Sequence, residues 1–73
     1  MRENLKKARQ EAGMTQQQMA DRLGIGLRHY KYIEAGKVIG SIQIWDDLED
    51  ITGIHQRKLR EISEKHPDKE DSR

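Results

Sequence analysis

The stretch TQQQMADRLGIGLRHYKYIEAGK, residues 15–37, holds two short helical patterns with a glycine corner between them. Thr15 is placed to cap the first, and Gln18, three residues on, can reach back to it, the pairing of a capping box. Met14 before the cap and Met19 after it are spaced for a hydrophobic staple. The pattern then runs through Ala20 and Leu23 to Gly24. Only Ile25 and Gly26 precede a second helix, which starts near Leu27 and stops at Gly36. Two helices joined so tightly cannot lie antiparallel. They cross steeply, as in a helix-turn-helix, and the small side chain of Ala20 suits the crossing.

Outward from this corner the chain predicts three further helices and no strand, an all-α, compact five-helix bundle. A first helix over 2–12 sets Leu5, Ala8, Arg9 and Ala12 on one face and ends at Gly13. A fourth, about 42–52, has Ser41 as its cap and Gly53 as its end. A fifth, about 56–65, has Ile54 and Leu59 spaced as a staple around His55, and Pro67 stops it. The segment PDKEDSR holds no apolar residue and is expected to be a disordered, charged tail. The expected domain is therefore 1–66, with a tail over 67–73.

Seventy-three residues, 33% of them hydrophobic, sit near the lower limit for a chain that folds on one core. There is no cysteine, so no disulfide or thiolate metal site contributes, and a reducing, cytoplasmic setting is expected. No apolar run approaches the ~20 residues of a membrane span, and no signal peptide is visible. The net charge of +1 hides an asymmetry. Residues 1–40 carry eight Lys or Arg against four acids, while 41–73 carry six against nine. A basic first half suits a polyanion at one end of the molecule. A charged fraction of 37% also serves solubility alone, and composition by itself favours that reading.

The third helix does more to separate them. At about 100° per residue, Tyr30 and Ile33 fall on one side, with Ile33 central to the buried stripe. Arg28, Lys31, Tyr32 and Ala35 fall opposite, with Leu27 at the leading edge and His29 on a flank. Such a face, cationic at its start, fits a helix entering a major groove N-terminus first. There Arg can pair with guanine and an apolar tip can meet a thymine methyl. For the helix taken by itself, an ordinary solvated face is the better reading.

The residues Leu5, Arg9, Gly13 and Met14, then TQQQMADRLGI and YKYIEAGK, then Ser41 and Leu48, together resemble the lambda-repressor-like (Xre/Cro-type) helix-turn-helix family. The resemblance implies a bundle of about five helices with the third as recognition helix. It implies a sequence-specific transcriptional regulator, of repressor type, that binds a palindromic operator as a homodimer near the nucleoid. Carried over by position, Leu27, Arg28 and Tyr32 are expected to face bases. Gln16, His29, Lys31, Lys37 and Ser41 are expected at the phosphate backbone, Gln16 through a helix start. Arg9 and Glu34 match a structural ion pair, and Arg9 independently lies on the buried side of its helix. The chain departs from the family at Gly26, where a capping Ser or Thr is usual. It also departs at Tyr30, whose hydroxyl needs a partner where an aliphatic anchor is usual.

On the fourth helix Ile44 and Ile51 lie to one side of Leu48, with Ile42 and Trp45 to the other. That arc is wider than one core needs, so Ile44 and Ile51 are expected at a dimer contact or, alternatively, in the core. An enzyme is not expected. The three histidines are scattered, no His/Cys/Asp cluster has ligand spacing, and no nucleophile elbow or phosphate-binding glycine loop is present. Asp46, Asp47, Glu49 and Asp50 spread around a helix without a calcium loop. No metal, cofactor, membrane or small-molecule effector domain is expected. The competing function is a protein-interaction module or antitoxin component built on the same fold.

Overall fold

The computed structural model describes residues 1–63, which form five helices and no strand. They are α1 (Glu3–Glu11), α2 (Gln16–Leu23), α3 (Leu27–Ala35), α4 (Ile42–Thr52) and α5 (Gln56–Arg60). The expected tail over 67–73 lies outside the described residues. The start of α2 forms the capping box in full: the Gln18 N–H donates to Thr15 Oγ1 at 3.0 Å, and Thr15 N–H donates to Gln18 Oε1 at 2.9 Å. Ser41 caps α4, its Oγ accepting from Ile44 N–H at 3.3 Å. At the corner, Gly24 takes φ of +72°, and Ile25 N–H donates back to the Ala20 carbonyl at 3.0 Å. A β-carbon would strain that left-handed turn, and this is why the corner carries glycine.

The core draws on every helix: Leu5 and Ala8 from α1, Met19 and Ala20 from α2, Tyr30 and Ile33 from α3, Ile44, Trp45 and Leu48 from α4, and Leu59 from α5. Met14, Leu23, Ile25, Ile51 and Ile54 pack around its rim. Burying each of the larger aliphatic side chains contributes about 1.5–3 kcal/mol. α2 packs on α3 across the corner, α1 lies against α3 and α5, and α4 closes against α2 and α5. α3 is thus held from behind while its outer face stays exposed among the described residues.

One expectation is corrected, and one open alternative is decided. The fifth helix ends at Arg60, short of 65, because Glu61 turns to φ −54°, ψ 135° and leaves the helical path. The segment beyond it runs back to the chain start, where Ser63 N–H donates to the Met1 carbonyl at 2.8 Å. For Ile44 and Ile51 the structure takes the alternative of core placement and not the exposed edge. Ile44 is only 8% exposed and Ile51 is partly buried against the core, whereas Ile42 is 77% exposed. The cause is the loop before α4. Gly40, at φ +80°, turns that loop over Ile33 and Ile44, and a β-carbon there would stand 3.2 Å from Ile33 Cδ1.

The least anticipated feature lies at the chain start. Arg2 is 4% exposed. Its backbone N–H donates to the Glu34 carbonyl at 2.8 Å, and its guanidinium enters the bundle between α3, α4 and α5.

Candidate nucleic-acid interface

The outer face of α3 presents Arg28, His29, Lys31 and Tyr32 to solvent, with Leu27 half-buried at its leading end. Among the described residues none of these cations pairs with a carboxylate, since the only ion pair there joins Arg9 to Glu34. Glu34 is the sole acid of α3, and it points the other way, into the bundle, at 1% exposure. Among the described residues, the cations of this face are therefore left without an ion-pair partner.

Glu34 is a meeting point of three helices. Its Oε2 accepts from Arg9 Nε at 2.8 Å and from the Tyr30 hydroxyl at 2.7 Å. Its Oε1 accepts from Gln16 Nε2 at 2.9 Å and from Arg9 Nη2 at 3.3 Å. Arg9 also donates through Nη1 to the Met14 carbonyl at 2.8 Å, tying α1 to the entrance of α2. Burial by itself would raise the Glu34 pKa. The hydrogen bonds from Arg9 and Tyr30, the charge of Arg9 and the bond from Gln16 outweigh it and hold the carboxyl below its ordinary value. The bond to Glu34 raises Arg9 in turn, against the opposing effect of burial. Tyr30 is pushed upward, first by burial and then by the carboxylate beside it, so its hydroxyl stays a donor.

Sequence reasoning had Arg9 opposite Glu34 but not the two further donors. Tyr30 stands four residues before Glu34 on one helical face, a spacing that could have revealed the bond. Gln16, expected at a phosphate, here spends its Nε2 on Glu34; its amide oxygen and the start of α2 remain for an outside ligand.

Three helix starts leave backbone donors open. After the capping bonds, the N–H groups of Gln16 and Gln17 at α2, and of Ile42 and Gln43 at α4, have no protein acceptor among the described residues. At α3 the Gly26 carbonyl accepts from Tyr30, and no side chain caps Leu27, Arg28 or His29. Such N–H groups, at the positive end of a helix dipole, favour anions. Lys37 is exposed just past Gly36, and its own N–H donates to the Tyr32 carbonyl at 2.9 Å, closing the end of α3. Ser41 is exposed four residues later at the start of α4.

No cluster of His, Cys, Asp or Glu suited to a metal occurs among the described residues. None of their helices is long and apolar enough to cross a membrane. Comparisons with curated proteins and with solved structures each gave no match. A helix-turn-helix family model does match, over residues 5–59, from the first core leucine of α1 to the last of α5. With three quarters of its length in that match and the α2–α3 corner in place, the chain belongs to the lambda-repressor-like (Xre/Cro-type) helix-turn-helix family of DNA-binding regulators.

Proposed function

We propose that this chain is a sequence-specific transcriptional regulator of repressor type that inserts α3, N-terminus first, into the major groove of a palindromic operator. The carrying observation is the outer face of α3. Its cations and Tyr32 are exposed, with no ion pair to a carboxylate among the described residues, while the helix's one acid is spent inside on Arg9. Leu27, Arg28 and Tyr32 face bases. Gln16, His29, Lys31, Lys37 and Ser41 lie at the backbone, where open N–H groups of α2 and α4 add to their charge. Two copies, one per half-site about 34 Å apart, serve a palindrome. The two most exposed apolar side chains, Ile39 at 63% and Ile42 at 77%, lie between α3 and the start of α4 and suit the contact between copies better than the buried Ile44. The activity is binding, not catalysis, and its setting is the cytoplasm, on the nucleoid.

The test compares two substitutions on selected and random duplexes. Arg28→Ala is expected to cost about 1–3 kcal/mol on the selected site and to relax preference at one base pair per half-site. Lys37→Ala is expected to weaken all duplexes alike and to flatten the salt dependence. Equal losses on both duplexes for both variants would refute the assignment of Arg28. A wild-type chain whose duplex affinity does not fall with salt would favour the protein-interaction or antitoxin reading.

A further inference from the structure

The six residues between α3 and α4 carry Lys37 and the cap Ser41, yet make little regular backbone structure. What fixes them is side chains reaching in from elsewhere. Arg2 Nη1 donates to the Val38 carbonyl at 2.9 Å and, at the end of α3, to the Ile33 carbonyl at 2.6 Å. Its Nε donates to the Arg60 carbonyl at 3.0 Å, at the end of α5. The guanidinium lies 5.2 Å from the centroid of the Trp45 ring, a cation–π distance. Trp45 in turn donates through Nε1 to the Ile39 carbonyl at 2.6 Å. Consecutive loop carbonyls, Val38 and Ile39, are thus pinned by a stacked Arg–Trp pair.

An arginine this buried is costly unless its donors are used, and no carboxylate among the described residues lies within ion-pair distance of it. Burial, and then the charge of Arg60, depress its pKa. It remains a cation at any physiological pH, since guanidinium does not deprotonate in proteins. A methionine or leucine would fill the space without that cost. What the planar fork supplies is a joint hold on three places: Nη1 on the last turn of α3 and the loop that leaves it, and Nε on the end of α5.

We infer that Arg2 is a positioning residue for DNA binding, fixing the loop so that Lys37 and the open N–H groups of α4 meet one phosphate while α3 sits in the groove. This rests on the DNA-binding reading above. Arg2 itself touches no DNA; it acts through Lys37. The loss from removing Arg2 should therefore overlap with the loss from removing Lys37, and neither should change which bases are preferred.

The experiment is a double-variant cycle with Arg2→Met, Lys37→Ala and the pair together. Duplex affinity is measured from low to moderate salt, at a temperature where circular dichroism shows each variant as helical as the wild type. Each single variant is expected to flatten the slope of log affinity against log salt by about 0.9, the share of one phosphate. The pair is expected to flatten it no further, with base preference intact throughout. A wild-type slope in Arg2→Met, or separate losses that multiply in the pair, would overturn the inference. If Arg2→Met loses its helical signal, Arg2→Lys takes its place; an ammonium holds only part of the fork, so an intermediate slope is expected and a wild-type slope overturns the inference. A wild type that binds no duplex in a salt-dependent manner removes the DNA-binding reading and this inference with it. A wild type that binds, beside an Arg2 variant of unchanged slope, removes this inference alone.

Discussion

Replacing Glu34 by alanine should be the most damaging single change outside the hydrophobic core. The carboxylate accepts four hydrogen bonds, from Arg9 Nε and Nη2, Gln16 Nε2 and the Tyr30 hydroxyl. Deleting it strands the Arg9 cation, 8% exposed, with the Met14 carbonyl as its one remaining partner among the described residues. Breaking a buried pair by removing one member costs about 3–5 kcal/mol. A domain this size has roughly 3–9 kcal/mol in all, at ~0.05–0.15 kcal/mol per residue. Glu34→Ala should therefore lower the melting temperature by roughly 12–40 °C, at about 4–8 °C per kcal/mol. Removing both charges, as Arg9→Met with Glu34→Leu, should cost less than Glu34→Ala alone, because no ion is then left in the interior. Thermal and urea unfolding followed by circular dichroism measure all three. Glu34→Ala within about 1 kcal/mol of wild type, or a double variant at least as costly as Glu34→Ala, would refute the reasoning. The same bonds set an acid limit. The folded carboxyl titrates below its unfolded value of ~4.3, so its stabilisation is complete above that pH and is lost as pH falls through the lower folded pKa. In Glu34→Gln that part of the acid sensitivity should vanish.

Gly26→Ser should stabilise the domain by about 0.5–1 kcal/mol, through a side-chain cap for α3 and a less free unfolded chain. The backbone there, φ −74° and ψ 154°, suits a capping serine, and a β-carbon meets nothing within 4 Å. A lower urea midpoint for this variant would show that the N–H groups at the start of α3 are not accessible to a cap. Ile42→Asp should leave the melting temperature nearly unchanged and reduce the two-copy species in sedimentation, whereas Ile44→Asp, which buries a charge, should unfold the chain. An Ile42→Asp protein that self-associates and binds a palindrome like wild type would move the contact between copies elsewhere.

What the sequence made legible was local. The Thr15–Gln18 box, the Ser41 cap and the glycine ends of the first four helices involve residues within a few positions of one another. Their chemistry can therefore be read without the fold, and the structure forms them. The inward turn of Tyr30 and Ile33 followed from helical periodicity in the same way. The edge of α4 could not be read so. A helical wheel shows that Ile42, Ile44 and Ile51 are apolar, but which edge is covered depends on Gly40 folding the loop over Ile44. Arg2 was further still from view. In the sequence it is one basic residue among several near a chain end, where exposure is the ordinary expectation. Its acceptors lie 31, 36 and 58 positions away, on carbonyls that no side-chain pattern reveals. The length of α5 has a similar cause, since the chain leaves the helix to meet Met1.

The hydrogen bond from Ser63 N–H to the Met1 carbonyl, 2.8 Å, sets residue 63 beside residue 1 in the folded domain. In the unfolded chain, bringing residues 1 and 63 together costs entropy of about 3–4 kcal/mol for a loop this long, from (3/2)RT ln n with its constant set aside. A short peptide joining residue 63 back to residue 1 would levy that entropy on the unfolded chain instead of on folding. Such a cyclised domain would gain stability with no new contact made. Cut open at a helix boundary such as Gly53, which is exposed and has no neighbour within 4 Å of a β-carbon, the ring would yield a circular permutant with its helices in a new order and its α3 face intact.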